Sequence, residues 1–366
     1  MKKHNPENER IKRLYFTFLK EAKRQSEVSV DAVAKALSRF EKYNKYQDFR
    51  KFHFQQAIAF KNYLALQRNI QSGQKLSKST LNSTLGHLKR FIQWLSGQTG
   101  YKSRIKYTDA EYFNLSEKET RIAKASKPRN VPTLEQITYV LANMSTSTDI
   151  ELRNRALFAF ALLTGARDNA IASLKLKHID LTRNCIYQDA REVRTKFSKT
   201  FTTYFFPVDR DIRLIVEEWV NYLRDKLLWG NDDPLFPATE VKIGDDRQFH
   251  AQGLKRQHWS NANPIRAIFR EAFTAVGLPY FNPHSFRNTL VSLGERICKT
   301  PEDFKAWSQN LGHEHVLTTF YSYGEVSQQR QSDIILGLSS DESNDLVNND
   351  VKSLAKALAE ELRTNP

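Results

Sequence analysis

The positive charge of this chain is confined to its first third. Residues 1–130 contain 28 lysines and arginines against 11 aspartates and glutamates, whereas residues 131–366 contain 28 against 30. Within the first part, residues 49–108 carry eleven basic side chains and no acidic one. A solvated surface usually mixes both signs, so this segment predicts a polyanionic partner, and a merely basic soluble domain is the simpler alternative. The length of 366 residues favours two domains, or three.

The composition argues against several classes of protein, namely disulfide-rich, zinc-binding, secreted and membrane-spanning proteins. Hydrophobic residues make up 40% of the chain, which is enough for genuine cores. Cys185 and Cys298 have no second cysteine at metal-ligand spacing, so we expect neither a disulfide framework nor a zinc site. The first residues lack an apolar stretch and no apolar run reaches about 18 residues, so we expect no signal peptide and no transmembrane helix. A membrane surface would require an amphipathic helix with aromatic anchors, and we expect a cytoplasmic protein that does not bind membranes.

Five segments follow one another along the chain. We expect a polar lead-in over residues 1–28 and a basic helical domain over 29–116. A charged stretch that contains a proline predicts a linker over 117–131. A second domain is expected over 132–338. Residues 339–366 are expected to form a tail with a short amphipathic helix, which is too short to be stable without a partner surface.

Apolar periodicity predicts mostly helices. In the first domain the clearest helix has apolar residues at four- and three-residue spacing and ends at Gly97. In the second domain Thr133 and Gln136 form a capping box, and residues 152–163 read as a buried helix. Residues 186–206 are rich in aromatic and β-branched side chains and predict strands. The expected fold class is mainly α with a small β-sheet in the second domain, an α+β arrangement.

Groups that can act on a phosphodiester occur in order along the second domain. Arginine is always charged and its planar guanidinium can grip two phosphate oxygens, while histidine can exchange protons near neutral pH. A tyrosine hydroxyl can attack phosphorus as a nucleophile. No single short motif here is specific, and the signal is their order and shared chemistry. The groups are Arg167 in 163–167, His284 and Arg287 in 283–287, His313 in 311–313, and the nearby Tyr321 and Tyr323.

Through these motifs, residues 30–330 resemble the tyrosine recombinase or phage integrase family, most strongly over 155–326. Members of that family carry Arg, Lys, His-x-x-Arg, His or Trp, and Tyr in this order. The resemblance implies a two-domain clamp around duplex DNA, with a core DNA-binding domain over 29–116 and a catalytic domain over 132–338. It also implies a site-specific recombinase that works through a covalent 3′-phosphotyrosyl intermediate and needs no metal or cofactor. The matching residues are Arg167, Lys196, His284, Arg287, His313 and Tyr323.

The resemblance assigns a role to each of these residues. Arg167 and Arg287 would stabilise the negative charge that builds on the phosphate oxygens. His284 and His313 would hydrogen-bond the same oxygens, and His284 would also accept the tyrosine proton. Lys196, on a strand-like hairpin, would protonate the leaving 5′-oxygen.

The identity of the nucleophile stays open between two tyrosines. The family usually places its tyrosine about nine residues after the His, whereas Tyr321 and Tyr323 lie eight and ten residues after His313. On a helix the two would point in different directions, so only one can face the site. Tyr323 is favoured because it continues the helical face of Val316 and Phe320.

Two further positions leave alternatives open. Lys199 competes with Lys196 for the role of proton donor, because both lie in the same basic stretch. Ala170 stands where many family members carry Glu or Asp. The support of the first arginine would then fall to Asp168 or Asn169.

Basic side chains of the first domain and the linker are expected to contact DNA phosphates. Such contacts supply most of the affinity, so binding should weaken steeply with salt. The resemblance also implies a homotetramer on paired DNA sites, a monomer or dimer before synapsis, and room for an accessory DNA-bending factor. The expected contact residues are Lys75, Lys78, Lys89, Arg90, Lys127 and Arg129.

The expected biological role is integration or excision of a mobile element, in a bacterial or phage setting and in association with the nucleoid. Chromosome-dimer resolution and transposition are alternatives within the family. A catalytically inactive DNA-binding protein that keeps the fold is the rival class. An RNA-binding factor fits the charge but leaves the Arg, His and Tyr set unexplained.

Overall fold

The chain forms two compact units, Met1–Ala125 and Ser126–Pro366, and each has its own hydrophobic core. In the described ranges no helix combines the length and the apolar character needed to span a membrane. The expected tail over 339–366 lies outside the described residues. The computed structural model describes residues 4–69, 73–125, 130–243 and 247–313.

The first unit is helical, and polar residues begin its helices. The side chains of Asn5, Ser26 and Ser77 each accept a hydrogen bond from a backbone amide in the first helical turn. The apolar stripe predicted to end at Gly97 is buried on one face of the fourth helix. The helices are α1 (Pro6–Thr17), α2 (Glu27–Tyr43), α3 (Phe54–Leu66), α4 (Lys78–Leu95) and α5 (Glu117–Lys124), with a π-helical turn at Phe18–Ala22 and 3₁₀ turns at Phe49–Lys51 and Tyr107–Phe113.

The segment predicted as a polar lead-in is part of the first core. Tyr15 is buried in α1, and its ring lies 5.1 Å from that of Phe91 in α4. Glu41 of α2 is buried as well, and its carboxylate lies 2.6 Å from the Lys12 ammonium and accepts a hydrogen bond from Asn8. A buried charge is tolerated only when it is paired and hydrogen-bonded, so this network fixes α1 against α2.

The segment predicted as a linker begins as a helix. Ser116 and Glu119 form a capping box at the start of α5, and the Lys78 ammonium lies 2.6 Å from the Glu119 carboxylate. Acidic residues in the first turn and basic residues in the last turn also complement the helix dipole. These local signals outweigh the lack of apolar periodicity on which the linker prediction rested.

The second unit adds helices and two small antiparallel sheets. The capping box of Thr133 and Gln136 is present at the first of these helices. The fold class, mainly α with small β-sheets, is confirmed. The elements are α6 (Leu134–Asn143), α7 (Asp149–Thr164), α8 (Asp168–Ile171), β1 (Ile179–Asp180), β2 (Cys185–Gln188), β3 (Phe201–Tyr204), α9 (Arg210–Asn221), β4 (Ala238–Ile243), β5 (Phe249–Lys255), α10 (Asn263–Ala275), α11 (Ser285–Ile297) and α12 (Pro301–Asn310).

The strands form a three-stranded sheet in the order β1-β2-β3 and a separate β4–β5 hairpin. Ile186 of β2 faces Thr203 of β3 in an antiparallel register. Within the predicted strand stretch of 186–206, the residues between β2 and β3 form an irregular connection that carries Lys196. The strand prediction therefore holds at both ends of the stretch but not in its middle.

A cluster of phenylalanines joins the helices that carry the candidate site. The ring of Phe158 in α7 lies 4.6 Å from that of Phe269 in α10 and 4.9 Å from that of Phe286 in α11. All three side chains are fully buried. Close packing of large side chains leaves little room for movement, so the end of α7 and the start of α11 hold fixed positions.

Candidate active site

Arg287 joins three of the predicted motifs in space. Its guanidinium donates to the Gly165 carbonyl through Nη1 (2.5 Å) and to the Leu311 carbonyl through Nη2 (2.6 Å). The same Nη2 lies 3.0 Å from Nε2 of His313. The arginine is only 2% exposed. We call Arg287, Gly165, Leu311 and His313 the Arg287 cluster, and it brings the three motifs into contact.

Two glycines make this close approach geometrically feasible. Gly165 ends α7 with a φ of +58°, and a Cβ atom there would lie 2.9 Å from a methyl group of Leu311. Gly312 has a φ of +69°, and its Cβ would lie 2.7 Å from the ring of Phe201 in β3. An L side chain is disfavoured at a positive φ, and here it would also clash. Gly165 and Gly312 therefore allow their segments to pack closely, a role that the motifs alone do not reveal.

The end of α12 is fixed to its neighbours and sets the position of His313. The Trp307 indole donates to the Leu290 carbonyl of α11 (3.0 Å). The Asn310 amide pairs with Tyr204 of β3, accepting from its N–H (2.7 Å) and donating to its carbonyl (2.9 Å). These bonds tie α12 to both α11 and the sheet.

His313 is held in its neutral form. Burial, and after it the nearby basic groups of Arg287, Arg167, His284 and Lys196, together lower the pKa of His313 to about 3. A guanidinium has no acceptor, so Nε2 of His313 must accept the hydrogen bond from Arg287 and the proton resides on Nδ1. The same pKa shift indicates that each of these predicted residues lies within electrostatic reach of His313.

Arg167 is half-buried at the beginning of α8. It follows the buried Thr164–Ala166 turn, in which the Thr164 hydroxyl accepts from the Ala166 amide (3.2 Å). Ala170 is buried. Asp168 pairs with Arg266 of α10 at 2.7 Å. The carboxylate considered as a support for Arg167 is therefore engaged by a different arginine, and Asn169 is exposed.

His284 is exposed at the N-terminal boundary of α11, where its carbonyl accepts from the Arg287 amide (3.2 Å). The spacing of three residues places His284 and Arg287 on one side of the helix start. The buried Phe286 between them packs into the core. In the His-x-x-Arg motif, His284 is therefore exposed to solvent and Arg287 is buried.

Lys196 lies in the β2–β3 connection and not on a strand. It begins a short 3₁₀ turn, is exposed, and has its ammonium 4.8 Å from the ring centroid of Phe197. Its positive charge contributes to the lowered pKa of His313. Lys199 lies three residues on and lines an open surface cavity of about 860 Å³, together with His313 and Trp307. Both lysines therefore lie near His313, and Lys196 as the proton donor stays a prediction.

The remaining predicted site residues fall into two groups. Lys78 and Lys89 form ion pairs with Glu119 (2.6 Å) and Glu111 (2.7 Å), whereas Lys75 and Arg90 are exposed. Both glutamates follow the acid-free stretch of residues 49–108 in the sequence. Folding therefore pairs two lysines of that stretch with acidic side chains from outside it. Tyr321, Tyr323, Lys127 and Arg129 lie outside the described residues.

The described residues include no cluster of three or more His, Cys, Asp or Glu side chains that could hold a metal ion.

Comparison with known proteins agrees with this geometry. The model of the phage integrase family matches residues 130–330. Tyrosine recombinase XerC from Lactobacillus delbrueckii subsp. bulgaricus is 25% identical over 261 residues, which cover 71% of this chain and 76% of XerC. Tyrosine recombinase XerD from Neisseria meningitidis serogroup B is 28% identical over 205 residues, which cover 55% of this chain and 61% of XerD.

Solved structures share the fold. A lambda integrase (75–356) dimer bound to a COC′ core site aligns with a TM-score of 0.58 at 13% identity, covering 87% of this chain and 96% of that one. The Tn1549 transposon integrase in complex with circular intermediate DNA aligns with a TM-score of 0.55 at 12% identity, covering 90% and 99%. The family match spans more than half of the chain and includes the Arg287 cluster. The chain therefore belongs to the phage integrase family of tyrosine recombinases.

Proposed function

We propose that this protein cleaves and rejoins duplex DNA at specific sites through a covalent 3′-phosphotyrosyl intermediate. The observation that carries the proposal is the Arg287 cluster, in which a buried guanidinium and a neutral imidazole lie within electrostatic reach of Arg167, His284 and Lys196. Several positive groups around one point suit a phosphate that gains negative charge during reaction. The similarity to the XerC and XerD recombinases supports the same reaction class.

The proposed reaction conserves the number of phosphoester bonds. The Tyr323 oxygen attacks phosphorus and its proton passes to His284, so a new phosphorus–oxygen bond forms. The bond from phosphorus to the 5′-oxygen breaks, and the leaving oxygen takes a proton from Lys196. Attack of a 5′-hydroxyl on the phosphotyrosine reverses these steps and rejoins DNA. Arg167 and Arg287 oppose the charge that develops on the non-bridging oxygens.

His313 supports this reaction as a neutral hydrogen-bond donor. Its Nε2 accepts from Arg287, so Nδ1–H is the group that can donate to a phosphate oxygen. Its pKa of about 3 keeps the ring uncharged across the physiological range. His284 is exposed at the helix boundary and is the proposed acceptor of the tyrosine proton, whereas His313 is the proposed donor to a phosphate oxygen.

The first unit is the proposed DNA-binding domain. Arg90 and Lys75 are exposed, and Lys78 and Lys89 would exchange their glutamate partners for phosphates when DNA binds. We propose assembly into a homotetramer on paired sites during strand exchange. The proposed biological role is integration or excision of a mobile element, and its support is the likeness to the phage integrase family.

The direct test uses a nicked DNA site whose cleavage product diffuses away and traps the intermediate. Wild-type protein is expected to form a covalent DNA adduct in the presence of EDTA. Tyr323→Phe should abolish the adduct and leave DNA binding intact, because a single hydroxyl is lost. DNA binding without any adduct from wild-type protein would instead support the catalytically inactive alternative.

A further inference from the structure

Arg194 is a second arginine whose guanidinium is bonded to backbone carbonyls. It precedes Lys196 by two residues in the β2–β3 connection. Nη2 donates to the carbonyls of Ala172 (3.0 Å) and Trp259 (2.7 Å), and Nη1 donates to that of Ser260 (2.5 Å). One side chain thus links three segments of the chain that are far apart in sequence.

The backbone amide of Arg194 is bonded to Ser173, the residue next to Ala172. The Arg194 amide donates to the Ser173 hydroxyl at 2.9 Å. That hydroxyl in turn donates to the Ala170 carbonyl of α8 at 3.0 Å. Ser173 is buried and follows directly after Ala172. Side chain and main chain of Arg194 are therefore both attached to the end of α8, and Arg167 is the N-cap residue immediately before α8.

The connection is exposed immediately beyond Arg194. Lys196 and Phe197 are exposed, Phe197 to 79%. Phe197 and Ser198 both have positive φ angles, +60° and +52°, which side chains with a Cβ adopt only at a cost in free energy. A strained and exposed turn keeps its conformation only when neighbouring contacts define it. Arg194 supplies such contacts immediately before the turn.

We propose that Arg194 is a positioning residue for strand cleavage, which fixes the Lys196 turn relative to the Arg167 end of α8. The proposal rests on the proposed function, in which Arg167 holds the scissile phosphate and Lys196 protonates its leaving oxygen. A planar guanidinium can serve three carbonyls at fixed angles, whereas a lysine ammonium at this position cannot reproduce that fork.

The test compares two DNA substrates that differ in the leaving atom. In the first, the 5′-bridging atom at the scissile bond is oxygen, which needs a proton to leave. In the second, this atom is sulfur, and a thiolate leaves readily without one because its conjugate acid is far stronger than an alcohol. A defect confined to proton donation therefore disappears on the sulfur substrate.

Arg194→Lys and Arg194→Met are expected to slow single-turnover cleavage of the oxygen substrate by about tenfold to a hundredfold, the usual effect of a small misplacement of a reacting group. Cleavage of the sulfur substrate should recover to within about threefold of wild type, as it should for Lys196→Ala. Ser173→Ala removes the bond from the Arg194 amide and the hydroxyl bonds to α8 but keeps the guanidinium bonds of Arg194, so it should show a smaller loss with the same substrate dependence.

Matched variants separate the outcomes. Arg191→Met removes an arginine of the same connection whose side chain is 84% exposed and pairs with Asp189, and it should leave both rates unchanged. Arg167→Lys should slow both substrates alike. Equal losses on both substrates for the Arg194 variants, or weakened DNA binding at unchanged rate, would overturn the positioning role.

Failure of the underlying function has a different signature. If wild-type protein forms no adduct on either substrate, the recombinase proposal is wrong. If wild type cleaves but Lys196→Ala is not rescued by sulfur, Lys196 is not the proton donor and the role given to Arg194 is wrong as well. Thermal unfolding of each variant confirms that the rates refer to folded protein.

Discussion

Arg287 combines a structural role with the proposed chemical role in one side chain. Its bonds to the Gly165 and Leu311 carbonyls orient the guanidinium, and its bond to His313 fixes the tautomer of the ring. Arg167 differs because it is half-buried at the N-cap position of α8, whereas Arg287 is only 2% exposed. The two arginines should therefore respond differently to the same conservative change.

Arg287→Lys should reduce both cleavage and stability. The lysine leaves buried carbonyls without their donor, which costs about 1–3 kcal/mol for each unsatisfied group. Cleavage should fall by at least about a hundredfold, as for loss of one charge-stabilising donor. Arg167→Lys should show a similar fall in rate with little change in the unfolding temperature. Single-turnover cleavage and thermal unfolding of both variants measure the two effects. Equal unfolding temperatures of the two variants would show that the backbone bonds of Arg287 do not stabilise the fold.

The lowered pKa of His313 predicts a dependence of stability on pH. In the unfolded chain a histidine takes up a proton near pH 6.5, whereas in the folded protein it does so only near pH 3. Since the unfolded state binds the extra proton between these values, the contribution of His313 to stability is complete above about pH 6.5 and decreases as the pH falls toward 3. His313→Gln keeps an acceptor for Arg287 but cannot be protonated.

Denaturant unfolding of wild type and His313→Gln between pH 7 and pH 4 measures this effect. The stability of wild type should decrease more steeply as the pH falls, because only wild type gains the unfolded-state proton. Parallel curves for the two proteins would show that His313 is not held neutral by the fold.

At the level of secondary-structure elements, the site depends on close contact between the end of α12 and β3. Gly312 is the contact point, since a Cβ there would lie 2.7 Å from the ring of Phe201. Gly277 offers a matched control, because it has a similar φ of +73° but a Cβ there would meet no atom within 4 Å. Substitution at the two glycines therefore separates backbone strain from packing.

Gly277→Ala should lower the free energy of unfolding by about 1 kcal/mol, the cost of a positive φ for alanine. Gly312→Ala should lower it further and should also reduce cleavage, because the clash displaces His313. Phe201→Leu should restore part of the lost activity by making room. Identical effects of the two alanine substitutions on stability and cleavage would show that the approach of α12 to β3 is unimportant.

Local signals in the sequence predict most elements but not how the site is held together. The capping box at Thr133 and the buried character of α7 depend on neighbouring residues and could be predicted. The bonds from Arg287 to carbonyls of two other segments depend on packing between residues 122 and 24 positions apart. No periodicity or spacing rule contains that information. The helix at 117–124 was missed because it has no apolar face and is defined by its cap.

The candidate catalytic groups, in contrast, could be named from the sequence through the resemblance to the tyrosine recombinase family. The chemistry of arginine, histidine and lysine makes the roles that the resemblance implies feasible. The ion pair of Asp168 could not be predicted, because its partner Arg266 is nearly one hundred positions away in the sequence.

At the scale of the whole molecule, charge and chemistry are divided between the two units. Residues 1–125 hold 26 basic and 11 acidic side chains, whereas residues 131–338 hold 25 and 24. A fragment of 1–125 should therefore bind duplex DNA with a steep salt dependence, and a fragment of 131–338 should bind much more weakly. Fluorescence anisotropy over a range of salt concentrations measures both. Equal affinities and equal salt slopes would make the charge asymmetry incidental.

In the proposed function, the Arg287 cluster and its basic neighbours serve a tyrosine that becomes joined to DNA. Mass spectrometry of the trapped protein–DNA adduct, after digestion with a protease and a nuclease, identifies that tyrosine. We expect a single modified peptide that carries a nucleotide on Tyr323 through its 3′-phosphate. A nucleotide on Tyr321, attachment through a 5′-phosphate, or the absence of any modified peptide would show that the proposed reaction is wrong.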